Sequence, residues 1–213
     1  CEETPYNPKE FLPPAKGDMG EVVVVIDKNY WQGPVMVKLK EIFEKEVMSL
    51  PQPEPLMQMS IITMQGFGKG TNQHHSVLII EIDDSPANKK AYISERKEDM
   101  YALGQVIYTL RAPSQTAAVE LLEKGGPFLL SEFQKQTSDA LSKKFKSSKS
   151  PKINEELELT LGVSMDIPGT FIVSANYNDF MWMKQMRQRY SEGKDHEIQI
   201  GILVYTFPYT DSL

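Results

Sequence analysis

Residues 21–27 read Glu-Val-Val-Val-Val-Ile-Asp, and this short segment decides the fold. Its apolar part, Val22 to Ile26, is the longest apolar run of the chain. A run of β-branched residues that is this short and ends at a charged residue is typical of a strand buried in the middle of a sheet. We therefore expect the first half of the protein to form around this strand.

A helix is expected to follow at the Gly-Pro pair of residues 33–34, because proline is favoured in the first turn of a helix. Val35, Leu39 and Phe43 then fall on one helical face. The alternate prolines of residues 51–55 end this helix, since proline cannot continue one.

The rest of the chain divides into further helices and short strands. A helix over residues 117–124 is expected to stop at Gly125-Gly126, and another covers residues 128–145. Residues 178–193 fit either a capped helix or a strand, and we prefer a strand that forms a hairpin with the next one. Other strands are predicted at residues 57–63, 77–83, 105–110, 157–165, 171–175 and 198–207.

These elements predict an α+β fold, a mainly antiparallel sheet with helices packed on one face. Each half runs strand, helix, strands, and ends with a histidine-bearing turn before an apolar strand. This order suggests two βαββ repeats, or a coincidence of the kind that is common in α+β chains. We assign residues 1–20 to a tether, 21–100 to a first half and 101–213 to a second half. The halves form either one compact domain or two similar subdomains.

Composition excludes some classes of protein. The 213 residues carry a net charge of −6, which argues against nucleic acid as a partner, because nucleic-acid binding needs a basic surface. The single cysteine excludes an internal disulfide, and no apolar run has the length of a membrane-spanning helix. No metal-binding or cofactor motif is present, so no cofactor is expected.

Cys1 predicts where the protein works. A chain that begins at cysteine is expected from the removal of a lipoprotein signal peptide and the attachment of lipid to the thiol; the alternative is a chain start without functional meaning. Prolines at positions 5, 8, 13 and 14 indicate an extended spacer behind Cys1. We therefore expect a lipoprotein of the cell envelope, in the outer membrane and facing the periplasm or the surface.

The candidate site residues are few. His74 and His75 are adjacent, and neighbours in a strand point to opposite faces, so one metal ion is a less favoured interpretation than a turn or strand edge. His196 is the third histidine. Trp182, Tyr205 and Tyr209 could form a binding groove or docking patch, although such residues more often belong to a core. The lysines of residues 143–152 are interpreted as a solvated helix end rather than a headgroup-binding surface.

Several segments together resemble an uncharacterised family of Bacteroidetes-type lipoproteins that is classed as a domain of unknown function. The most specific of them are residues 50–55 and 201–209. The resemblance implies an envelope lipoprotein and supplies no catalytic residues, and it also implies a further part of the protein after Leu213. The segments that carry it are Cys1 with its proline tether, residues 20–27, Trp31, Gly33, residues 50–55, residues 180–183 and residues 201–209.

The sequence as a whole favours a lipid-anchored envelope protein that binds or scaffolds over an enzyme. Its expected partners are the membrane, through the N-terminal lipid, and an envelope protein or a glycan. The alternative is an envelope hydrolase that uses carboxylates and one of the three histidines. A third interpretation is a structural subunit of an assembly.

Overall fold

The computed structural model of the protein describes residues 8–48, 51–68, 70–83, 85, 90–191, 193–208 and 210. Cys1, the predicted lipidation site, lies outside these residues. The chain forms two compact units, Cys1–Ala140 and Leu141–Leu213. Within the described residues, no helix is long and apolar enough to cross a membrane.

The first unit contains a six-stranded sheet. Its strands are β1 (Glu21–Val25), β2 (Gln58–Ile62), β3 (Ser76–Ile82), β4 (Tyr92–Ile93), β5 (Lys97–Glu98) and β6 (Val106–Ala112). Strands β2, β1, β3 and β6 lie side by side in that order and pair in parallel. The two short strands β4 and β5 pair antiparallel with β6.

The α+β class is confirmed, but the first sheet is mixed rather than mainly antiparallel. Helix α1 (Pro34–Phe43) lies between β1 and β2 in the chain. A helical crossover brings the chain back to the same end of the sheet, so the next strand runs parallel to the first. The alternation of apolar residues carries no information about this direction.

Strand β1 has buried side chains on both faces of this sheet. Val22 and Val24 pack with α1 and with α2 (Gln115–Ser148) in one large apolar cluster. Val23 and Val25 belong to a smaller cluster on the opposite face. The prediction that helices pack on one face is therefore confirmed for this unit.

Helix α2 corrects the prediction of a stop at Gly125-Gly126, because it continues through both glycines and Pro127. A Cβ on Gly126 would overlap Cδ1 of Ile42 in α1, and a Cβ on Gly125 would overlap Cδ1 of Ile93 in β4. The two glycines thus let α2 approach its neighbours closely. Tertiary packing overrides their weak helix propensity.

The second unit contains α3 (Pro151–Leu161) and a three-stranded antiparallel sheet of β7 (Ile172–Tyr177), β8 (Phe180–Ser191) and β9 (Lys194–Tyr205). The preferred hairpin of residues 178–193 with the following strand is confirmed, since β8 pairs with β9 along its whole length. The mainly antiparallel expectation holds for this sheet.

The strand predicted at residues 157–165 is wrong, because α3 occupies most of that segment. Alternate leucines at 157, 159 and 161 fit a strand, but Ile153, Leu157 and Leu161 also repeat every fourth residue and are the ones buried. Leu159 is 80% exposed, which only a helix allows here. Ser150 caps the helix by accepting a hydrogen bond from the backbone N–H of Ile153.

The units divide the chain at residue 140 rather than at residue 100. Strand β6 pairs with β3 along its whole length, so residues 106–112 complete the first sheet instead of starting a second half. The two sheets also differ in strand direction. Strand direction therefore gives no support to the hypothesis of two βαββ repeats.

Candidate functional site

A histidine, a carboxylate and a hydroxyl meet in the first unit. Nε2 of His74 lies 3.0 Å from Oε2 of Glu21, and the hydroxyl of Ser60 donates a hydrogen bond to the other oxygen of that carboxylate. His74 is 8% exposed. The three side chains line a cleft of about 300 Å³ together with Lys16 and Thr71.

The sheet positions these side chains. Glu21 begins β1 and lies two residues before Val23, so its side chain shares the face of Val23. Ser60 lies opposite Val23 in the parallel register of β1 and β2. The side chains of Glu21 and Ser60 therefore point to the face away from the helices. His74 precedes β3, and its carbonyl accepts a hydrogen bond of 2.8 Å from Nε2 of the fully buried Gln105. The amide of Gln105 thus fixes the turn that carries the imidazole.

The carboxylate of Glu21 is stabilised in its charged form. Burial raises the pKa of Glu21, but the hydrogen bonds from Ser60 and His74 and the attraction to His74 lower it further than burial raises it. The net result is a pKa below the ordinary value for glutamate. Glu21 is therefore a carboxylate at neutral pH and accepts these hydrogen bonds.

The arrangement differs from a hydrolytic relay. In such a relay the histidine accepts a proton from the nucleophile and the carboxylate orients the histidine. Here the Ser60 hydroxyl donates to Glu21, and Nδ1 of His74 lies 3.2 Å from the carbonyl oxygen and 3.3 Å from the backbone nitrogen of Ser76. Both ring nitrogens of His74 thus face protein atoms.

A larger cavity, of about 560 Å³, lies in the second unit. Most of its lining is apolar, and Ile167 and Phe171 are the most buried of its apolar members. It is formed by the end of α2, the segment before β7, and one face of β8 and β9. Its lining residues are Ser142, Phe145, Lys146, Met165, Asp166, Ile167, Pro168, Phe171, Gln185, Arg187, Ile200 and Ile202.

Two polar residues of the cavity lining, Gln185 and Arg187, lie on β8. Gln185 is 7% exposed, and its Nε2 donates a hydrogen bond of 2.6 Å to Oγ1 of Thr170. Its Oε1 accepts a hydrogen bond of 3.0 Å from Nε of Arg187. Asp166 is 3.2 Å from Nζ of Lys149. The carboxylate in the lining is thus already paired with a cation.

The structure separates the histidines singled out in the sequence. The rings of His74 and His75 are 6.2 Å apart between centroids and tilted by 80°. His196 is an exposed residue of β9 in the second unit, and its Nε2 lies 3.2 Å from the carbonyl oxygen of Ser191. Among the described residues, no group of three or more His, Cys, Asp or Glu side chains could hold a metal ion.

Trp182 and Tyr205 lie on the face of β8 and β9 that points away from the cavity. Trp182 is half-buried beside Lys184, whose Nζ is 5.6 Å from the ring centroid. Tyr205 is 65% exposed and stacks on Phe207 with a centroid distance of 6.1 Å. Tyr209 lies outside the described residues, so the predicted groove with this residue stays a prediction.

Sequence reasoning missed Glu21, Ser60, Gln185 and Arg187. A carboxylate at the first position of an otherwise apolar buried strand is a signal that could have pointed to Glu21. Gln185 and Arg187 continue the alternation of Met181 and Met183, so the same face of the strand changes from apolar to polar. That change marks the edge of a core.

Gly17 is expected to be required by the imidazole of His74. Gly17 has a φ of +94° and a Cβ there would overlap the ring, whereas Gly20 has a φ of +85° with no atom within 4 Å of its Cβ position. Gly17→Ala should cost about 1–3 kcal/mol more than Gly20→Ala, since both strain the backbone but only the first overpacks the site. Urea unfolding of both variants measures this difference. Equal losses of unfolding free energy in the two variants would contradict the contact between Gly17 and the imidazole. In a double variant, His74→Ala should remove the extra loss caused by Gly17→Ala.

Most of the first unit matches a known protein family. Residues 15–146 match a family described as a domain of unknown function, DUF8532, which covers most of the first unit and little of the second. No curated protein and no solved structure matches the chain. The expectation of an uncharacterised family is met, and its lipoprotein part stays a prediction. The chain belongs to the DUF8532 family of unknown function.

Proposed function

We propose that this protein is a lipid-anchored binding protein of the cell envelope that holds a small ligand in the cavity of its second unit. The observation that carries the binding part is the cavity of about 560 Å³ with its mostly apolar lining. Ligand sites in proteins are typically clefts of about 300–1,000 Å³ with apolar walls and a few polar groups. An envelope protein or a glycan, the partners expected from the sequence, stays the alternative occupant.

Part of the cavity wall is formed by regular structure, which favours a preformed site. Ile200 and Ile202 come from β9, and Gln185 comes from the central strand β8, which is paired on both sides. Phe171 and Ile167 close the floor and are both more than nine-tenths buried. A ligand therefore meets walls that are ordered before it binds, which lowers the entropic cost of binding.

Filling the cavity should abolish binding of a small apolar molecule. N-phenyl-1-naphthylamine is a neutral probe whose fluorescence rises in apolar surroundings, and we expect it to bind the protein with one saturable site. Ile202→Trp should reduce the affinity at least tenfold, because the indole occupies the cavity. Leu203→Trp is the matched control, since Leu203 lies on the opposite face of the same strand and is 61% exposed. Titration of both variants, each checked for folding by circular dichroism, decides the matter. An equal affinity in both, or no saturable binding by the unaltered protein, would contradict the proposal.

The proposed anchor is supported by the single cysteine of the chain, which a proline-rich segment follows. In cells that express the full-length gene, an alkyne-bearing palmitate should label the protein. Cys1→Ser should remove the label and release the protein from the membrane fraction. An unlabelled protein in the cytosolic fraction would exclude the anchor and leave the proposed ligand binding in the cavity untouched.

A hydrolase is the second candidate, and the observation in its favour is the pair of His74 and Glu21 beside a cleft of about 300 Å³. If His74 acts as a general base, His74→Asn and Glu21→Gln should each lower the hydrolysis of small p-nitrophenyl esters about 100-fold or more. His196→Asn is the control and should change nothing. Hydrolysis that is absent, or equal in all four proteins, would exclude this function.

A further inference from the structure

We infer that the ligand of the second unit is a single-chain anionic amphiphile, in which a hydrocarbon tail carries a carboxylate or phosphate head. This inference rests on the proposed function, because it assigns a chemical class to the occupant of the same cavity. The tail lies against the apolar floor, and the head binds Arg187 and Lys146.

The floor suits a hydrocarbon chain. Ile167 and Phe171 from the segment before β7, and Ile200 and Ile202 from β9, supply its aliphatic and aromatic surface. The one strongly buried polar side chain in the lining, Gln185, has both ends of its amide engaged within the protein. The deep part of the cavity is therefore mainly apolar, and burial of apolar surface is the main interaction that it offers a ligand.

The charges at the cavity are predominantly positive. Lys146 and Arg187 are both in the lining, and among the described residues neither forms an ion pair with a carboxylate. Asp166 is the one acidic member, and Lys149 lies 3.2 Å from its Oδ1. Two cations thus stand beside an apolar cavity without a compensating anion from the described part of the chain. An anionic head supplies that charge.

The orientation of Arg187 leaves its outer donors available. Its Nε is used, because it donates to Oε1 of Gln185, and Gln185 is itself held by Thr170. A guanidinium has five N–H donors, and the four on the two terminal nitrogens are not needed for this hydrogen bond. They form the fork that binds a carboxylate or a phosphate through two parallel hydrogen bonds. Gln185 therefore acts as a positioning residue for the head.

Ligands that share a ten-carbon tail test the assignment. Decanoate, decyl phosphate, decanol and decyltrimethylammonium would each displace N-phenyl-1-naphthylamine from the full chain, all below their micelle concentrations. We expect the two anions to bind at least about tenfold more tightly than decanol, and the ammonium ion to bind most weakly, because only an anion gains from the two cations. A higher affinity for decanoate than for decyl phosphate indicates a free fatty acid as the ligand. A higher affinity for decyl phosphate indicates a ligand with a phospholipid-type head.

Substitution of the cations provides the second arm of the test. Arg187→Gln and Lys146→Gln should each weaken decanoate about tenfold and leave decanol unchanged, since charged hydrogen bonds to the head are lost while the floor is intact. Arg189→Gln and Lys143→Gln are the matched controls, because these cations lie on the same strand and the same helix but outside the lining. Raised salt should weaken decanoate and spare decanol.

The outcomes separate this inference from the proposed function. Equal affinities for decanoate, decanol and the ammonium ion, or equal effects of Arg187→Gln and Arg189→Gln, would overturn the anionic head and leave a binding cavity in place. If no compound displaces the probe and the probe itself does not bind, the binding function fails with it. Preferential binding of decanoate that disappears in Arg187→Gln but persists in Arg189→Gln supports the assignment.

Discussion

Burial of β1 on both faces is the constraint on which the first unit depends. Val22 and Val24 face the helices, while Val23 and Val25 face the other side, so the strand must lie inside a sheet that is covered twice. Strand β2 runs parallel to β1, because the chain returns through helix α1 before β2 forms, and β3 on the other edge of β1 is parallel as well. Glu21 is the first residue of this strand and shares the face of Val23. A carboxylate brought that close to the core needs hydrogen-bond donors, and His74 and Ser60 provide them.

The second unit uses a similar principle with a different result. Along one face of β8, Met181 and Met183 are fully buried, Gln185 is nearly so, and Arg187 is exposed. The face passes from core to solvent within four alternate positions. Residues of α3 pack with the two methionines, whereas the polar end of this face, Gln185 and Arg187, lines the cavity. The cavity is thus a consequence of where the core of the unit ends.

Whether a feature of the fold or of the sites could be predicted from the sequence depended on how far apart in the chain its interacting residues lie. The strand of residues 21–27 was predictable because its composition alone demands burial, and the β8–β9 hairpin because its two strands are adjacent in the chain. The parallel direction of the strands in the first sheet was not predictable, since it depends on the path of the crossover. The continuation of α2 through Gly126 depends on contact with Ile42, far away in the chain. His74 was found as a residue type, but its partner Glu21 lies 53 positions earlier.

The two sites differ in whether their polar groups satisfy one another. In the first unit, His74, Glu21 and Ser60 are engaged with each other and with the backbone of Ser76, so a substrate would have to displace bonds that already stabilise the fold. In the second unit, the internal bonds of Gln185 fix Arg187 and leave the outer donors of its guanidinium available. A side chain that the fold orients, but whose hydrogen-bond donors remain available, is suited to binding a ligand. For this reason the second unit is the stronger candidate for the site of function, although the family match lies mainly in the first.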